Sequence, residues 1–121
     1  MSFEIYYFAD EKGIEPVRDY LKNLTEPDRA KVYAYLHHLS EVGYQLRRPH
    51  GDYLGGQTEL YEIRPGRNRI LYFFIHRNKI ILLHGFLKKT QEIPEKEMKI
   101  AMKRKEACKV LLKFNAVEFD E

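Results

Sequence analysis

The chain has 121 residues and a mass of 14.5 kDa, which makes it one domain able to bury roughly two thirds of its unfolded surface in a single core. Its 44% apolar and 32% charged residues fit a soluble folded protein, and the lone Cys108 excludes an internal disulfide. A net charge of +3 conceals a segregation: residues 64–113 hold fourteen Lys/Arg against four Asp/Glu, while residues 1–63 hold seven against eleven.

Charge separated in this way points to a polyanionic partner for the second half of the chain. The basic residues lie on and between predicted strands and a helix, so a shaped phosphate-binding surface is expected rather than a floppy arm. Glu4, Asp10, Glu11 and Lys12 interrupt any signal peptide. The apolar runs around Ile70–Ile75 and Ile80–Leu83 are far below the ~18 residues that cross a bilayer. With its single unpaired thiol, the chain is expected to be cytoplasmic, without a membrane partner.

In chain order, Phe3–Phe8 reads as a strand closed by a turn at Asp10–Gly13. Pro16 suits a first helical position, with Val17, Tyr20, Leu21 and Leu24 at helical spacing. Thr25 caps a second helix that has Pro27 in its first turn; Val32, Leu36 and Leu39 form its buried stripe and Gly43 ends it. Tyr44–Gln57 reads as a loop. Three strands follow, Thr58–Arg64, Arg69–His76 and Ile80–Leu87, joined by compact turns at Pro65–Asn68 and Arg77–Lys79, so an antiparallel meander is expected. Pro94 opens a last helix to about Leu112, with Met98, Ala101, Met102 and Leu112 inward and Lys99, Lys103 and Lys109 outward. The order is β-α-α-β-β-β-α in an α+β domain spanning residues 1–114, followed by an acidic, frayed tail at 115–121.

The chemistry legible in the sequence is cationic. Its five histidines share no metal-ligand spacing with acids or cysteine, and adjacent His37 and His38 diverge by about 100° on a helix. No metal site and no cofactor is expected, and there is no phosphate-binding glycine loop or nucleophile elbow. Glu59 and Glu62 are expected on opposite faces of a strand, which disfavours paired-carboxylate catalysis. Arg64 and Arg69 flank a turn that also holds Arg67, where like charges are costly unless an anion lies between them. Lys88 and Lys89 follow the last strand. If its exit lies beside Arg64 and Arg69, these cations surround one phosphate-sized space, and planar guanidinium forks suit phosphate oxygens.

The stretch Leu60-Tyr61-Glu62-Ile63-Arg64, then Arg69-Ile70-Leu71-Tyr72-Phe73-Phe74, then Ile80 through Gln91 with its His84-Gly85-Phe86-Leu87-Lys88-Lys89-Thr90-Gln91 segment and Pro94, resembles the RelE/ParE toxin superfamily. The similarity is specifically to the HigB-like branch of type II toxin–antitoxin modules of bacteria and phages, with earlier echoes at Glu15-Pro16-Val17, Tyr20-Leu21 and Arg48-Pro49-His50. The resemblance spans roughly residues 3 to 105 and implies a RelE-like fold. It also implies a ribosome-dependent endoribonuclease that cuts translated mRNA without a metal, by attack of a ribose 2′-OH on its own 3′ phosphate. A cognate helix-turn-helix antitoxin would neutralise it.

By position in that family, Arg64 matches a basic residue that helps activate or orient the 2′-OH, and Arg69 the arginine that holds the scissile phosphate. Lys88 or Lys89 matches a second phosphate-stabilising position. His84, His50 and Tyr61 are candidates for the general base. On a regular strand His84 shares a face with Ile80, Leu82 and Phe86, where a core role competes with catalysis. Arg48, His50 and Arg67 are candidate RNA contacts. The basic last helix, with Lys96, Lys99, Lys103, Arg104, Lys105 and Lys109, suits ribosomal RNA, with Lys99 and Lys103 as its named contacts. Where many relatives carry lysines after the His50 position, this chain has Gly51-Asp52, which weakens phosphate contacts at that edge. The competing readings are a non-catalytic toxin that inhibits DNA gyrase and an inactive RNA- or ribosome-binding module.

Overall fold

The computed structural model describes residues 2–111 and 114–117. Its elements run β1 (Glu4–Phe8), α1 (Pro16–Lys22), α2 (Glu26–Val42), a short 3₁₀ turn (Gly43–Gln45), β2 (Gly51–Tyr53), β3 (Tyr61–Ile63), β4 (Asn68–Ile75), β5 (Lys79–Leu87), α3 (Glu95–Leu111) and β6 (Phe114–Ala116). This is the expected α+β order with two strands added. β2 forms inside the segment expected to be a loop. β6 forms where a frayed tail was expected from Asn115; the end of the chain, 118–121, and Leu112, expected on the inner face of α3, lie outside the described residues.

The six strands make one sheet in the order β2-β3-β4-β5-β1-β6. The expected meander is its centre: β3 pairs antiparallel with β4, Tyr61 opposite Tyr72, and β4 pairs antiparallel with β5, Ile75 opposite Lys79. β1 then adds parallel to β5, Glu4 beside Lys79, and takes β6 antiparallel on its other side.

Helices cover both faces of the sheet. Alternate strand residues Ile63, Ile70, Tyr72, Ile80 and Leu82 pack with Val17 and Leu21 of α1 and Val32, Leu36 and Leu39 of α2. The opposite set, Leu71, Phe73, Ile81, Leu83 and Phe86, packs with Ala101 and Cys108 of α3. Several local expectations hold in detail. Thr25 Oγ1 accepts from the Asp28 amide at 3.3 Å, and Gly43 ends α2 with φ of 52°. The 65–68 turn closes with the Asn68 amide on the Pro65 carbonyl at 3.1 Å, Gly66 adopting φ of 64°.

One irregularity resets the last strand. Leu71 pairs with His84 but Tyr72 pairs with Leu82, so Leu83 is an extra residue on β5, a β-bulge. Because strand faces alternate residue by residue, the insertion moves everything beyond it to the other side. His84 and Phe86 therefore face α3 with Ile81 and Leu83, rather than sharing a face with Ile80 and Leu82. Gly85 turns toward α1, where an added Cβ would lie 2.7 Å from the Tyr20 ring.

Candidate functional site

The end of β3, the start of β4 and the exit of β5 meet above the α3 face of the sheet, and the 88–94 segment leading to α3 closes over them. The cleft between them has a volume of about 280 Å³. Arg48, Glu62, Arg64, Arg69, Lys88 and Lys89 line it, Phe86 lies among them, and Thr90 to Pro94 form the remaining wall. Backbone pairing fixes the approach of the lysines to the arginines: Arg69 is opposite Phe86, and the Lys88 amide donates to the Arg67 carbonyl at 2.7 Å. The positive charges expected around one phosphate-sized space do share a concavity.

The anion that two neighbouring arginines need is built into the protein. Glu62 is 4% exposed. Its Oε2 accepts from Arg64 Nε at 2.9 Å and lies 2.8 Å from Arg64 Nη2, and its Oε1 lies 3.9 Å from Arg69 Nε. A second carboxylate extends the series, because Asp52 Oδ2 accepts from Arg48 Nε at 2.8 Å and lies 3.7 Å from Arg64 Nη2. Charges thus alternate across the site as Arg48, Asp52, Arg64, Glu62, Arg69. The Arg48 hydrogen bond holds the Asp52 carboxyl below the usual carboxylate range, against the effect of its own desolvation.

Arg69 is held by the backbone as well. Its Nη1 donates to the carbonyls of Gly66 and Asn68, both at 2.8 Å, which ties it to the turn it follows. Its side chain is largely buried; that burial lowers its pKa from the usual arginine value, while Glu62 opposes the shift. Among the described residues, Nη1 of Arg64, Nη2 of Arg69 and the ammonium groups of Lys88 and Lys89 have no protein partner. These donors are free for an oxyanion that enters the cleft. Lys88 is half-buried and Lys89 exposed, and both line the cleft.

Other residues singled out from sequence lie elsewhere. His84 is on the α3 side of the sheet but does not line the cleft. Arg104 Nη1 donates to His84 Nδ1 at 3.2 Å and His84 Nε2 is 2.6 Å from Glu97 Oε1, so the ring is a neutral Nε2–H tautomer with both nitrogens engaged. Burial lowers its pKa, against the raising effect of Glu97. Tyr61 lies on the opposite face of the sheet, between Tyr53 and Tyr72, with ring centroids at 4.7 and 5.6 Å. His50 is exposed beside the rings of Tyr35 and His38, each 5.6 Å away, outside the cleft wall. Arg67 is exposed at the turn and reaches the site only through its carbonyl.

The basic helix divides into two sets. Lys99 pairs with Glu95 at 2.9 Å on the open surface, and Lys103 lines a separate groove with Asp10, Glu11 and Lys12. Two cations grouped with the RNA-binding set of this helix turn inward instead. Lys105 is 2% exposed, and its ammonium donates to the Thr58 carbonyl at 2.6 Å and to Glu59 at 3.0 Å. Arg104 caps the Leu83 carbonyl at 2.9 Å, satisfying the residue that the bulge leaves out of the ladder. Glu59 itself is off the strand, at φ of 61°, and shares the α3 side with Glu62; the two carboxylates are not on opposite faces. Among the described residues, no group of three His, Cys, Asp or Glu is placed to hold a metal ion.

Glu62 is the residue that sequence reasoning passed over. Its signal was present: a carboxylate two residues before Arg64 points to the same side of a strand.

Three helices against a largely antiparallel sheet, with the cleft at the end of its central strands, make this a RelE-like toxin fold. Among solved structures, a chain in the crystal structure of the toxin–antitoxin complex RelBE2 from Mycobacterium tuberculosis is similar, with TM-score 0.54 and 17% identity over 73% of this chain and 100% of that chain. No curated protein matches in sequence. The chain belongs to the family described as Phage derived protein Gp49-like (DUF891), a RelE/ParE-type toxin family, whose model matches residues 19–106. No helix among the described residues is long and apolar enough to cross a membrane.

Proposed function

We propose that this chain is the toxin of a HigB-like toxin–antitoxin module and that it cuts translated mRNA on the ribosome at the cationic cleft. The observation that carries the reading is the convergence of Arg64, Arg69, Lys88 and Lys89 on one small concavity with donors left unpaired. Family membership supports a toxin, and the similar fold in a toxin–antitoxin complex supports a protein antitoxin, here a helix-turn-helix partner, as its neutraliser.

In the proposed reaction the ribose 2′-oxygen attacks the adjacent phosphorus and loses its proton. The bond to the 5′-oxygen breaks, and that oxygen takes up a proton as it leaves. The products are a 2′,3′-cyclic phosphate and a 5′-OH end. Charge gathers on the non-bridging oxygens in the transition state, and fixed donors aimed there lower the barrier directly. Arg69, held by two carbonyls and Glu62, grips the phosphate. Lys88 and Lys89 supply mobile positive charge, and Arg64 orients the attacking hydroxyl. Arg48 guides the RNA along the rim. Lys99 and Lys103, away from the cleft, serve as screened contacts to ribosomal RNA.

Brief expression followed by mapping of transcript 5′ ends, with plasmid supercoiling measured in parallel, tests this. Cuts within reading frames are expected, and Arg69→Ala should lower cleavage by about 10²–10³-fold while its circular dichroism stays unchanged. Intact mRNA with lost negative supercoiling would indicate a gyrase inhibitor instead; neither effect would leave a binding module.

A further inference from the structure

A carboxylate buried at the centre of a phosphate-binding cleft is, at first sight, in the wrong place. Glu62 carries the charge of the substrate and lines the same cavity. Its own geometry gives it a use. One of its oxygens accepts from Nε of Arg64 and lies 2.8 Å from Nη2, so that the guanidinium is held along one edge. The other oxygen lies 3.9 Å from Nε of Arg69, whose Nη1 is already held by Gly66 and Asn68. Each arginine is gripped along one side, and each keeps an Nη group without a protein partner among the described residues.

Without the carboxylate, two guanidinium groups would face each other in a half-enclosed site and repel. Arg69 cannot move far, because backbone carbonyls hold it. Arg64 can: its side chain is 28% exposed and Asp52 already lies 3.7 Å from its Nη2. The repulsion would therefore be relieved by Arg64 swinging toward Asp52 and the rim, out of line with Arg69.

We propose that Glu62 is a positioning residue of this site, a resident anion that keeps Arg64 in register with Arg69 so that their free Nη groups meet one phosphate together. This rests on the cleavage reading above. Glu62 acts through Arg64 and does not itself touch the phosphate. A fixed donor pair serves the transition state, whereas the negative charge of Glu62 slightly opposes the ground-state phosphate. The two effects separate in kinetics: losing Glu62 slows the chemical step and leaves anion binding equal or tighter.

The experiment compares wild type, Glu62→Gln, Arg64→Ala and the double variant, each checked for its thermal midpoint. Single-turnover cleavage of a defined mRNA on programmed ribosomes gives the rate at saturation and the half-saturating concentration. Glu62→Gln should lower the saturated rate by about 10²-fold without raising the half-saturating concentration. In the Arg64→Ala background the same change should add almost nothing, because both act through one side chain. A wild-type rate for folded Glu62→Gln, or a full and additive loss in the double variant, overturns the proposal.

A second readout is independent of cleavage. The Arg64 Nε–H resonance should be resolved and slow to exchange in wild type and collapse toward solvent exchange in Glu62→Gln, while inorganic phosphate binds the variant at least as tightly. An unchanged Arg64 resonance, or weaker phosphate binding, also overturns it. If wild type and Arg69→Ala cleave alike, the function reading fails, and the resonance and phosphate titration still decide what Glu62 does.

Discussion

Single residues in this protein are constrained by what lies one atom beyond them. Gly85 supports α1 directly: a methyl group there would come within 2.7 Å of the Tyr20 ring, whose hydroxyl bonds Asn68. Gly85→Ala should cost about 1–3 kcal/mol by overpacking, read as a lower urea midpoint at constant slope. Glu59 shows charge rather than volume at the same scale. Hydrogen bonds from Lys109 and Lys105 pull its pKa from 4.5 to about 2, so folding favours its ionised form. A depressed acid stabilises the folded state above its unfolded value, and that contribution is lost as pH falls from about 4.5 through about 2. Unfolding curves for Glu59→Gln should therefore fall less steeply than wild type over that window and show lower stability above it. An acid limb as steep as wild type would show that the carboxylate is not coupled to folding.

Among the elements, helices and turns were readable because their signals are local: a capping Thr25, Pro16 and Pro27 in first turns, Gly66 in a tight reversal. The cationic cleft was half readable. Strand order brings Arg69 opposite Phe86 and so Lys88 near the turn, but nothing along the chain reports that Glu62 reaches both arginines. The bulge was invisible, since one extra residue among Ile80, Ile81, Leu82 and Leu83 leaves no mark in composition, yet it carries Phe86 into the cleft lining. Lys105, counted in sequence among the helix cations suited to ribosomal RNA, instead shares a buried helix face with Ala101 and Cys108, which helical spacing alone indicates. Its buried ammonium joins α3 to the segment before β3 through the Thr58 carbonyl. Lys105→Ala leaves that carbonyl without its donor and should destabilise the fold by about 1–3 kcal/mol, with faster hydrogen exchange across residues 54–60.

For the molecule as a whole, the basic second half should give the proposed binding to ribosomes a strong dependence on salt. Replacing Lys88 and Lys89 together by Gln should reduce the slope of log affinity against log salt by about 2 if both meet phosphate; an unchanged slope would remove them from the interface. The sheet has one more property with a consequence in time. Its first strand lies between β5 and β6, parallel to a partner 75 residues away at the Glu4–Lys79 pair. β1 thus has no strand to pair with until β5 has been synthesised. Such distant pairing makes folding slow.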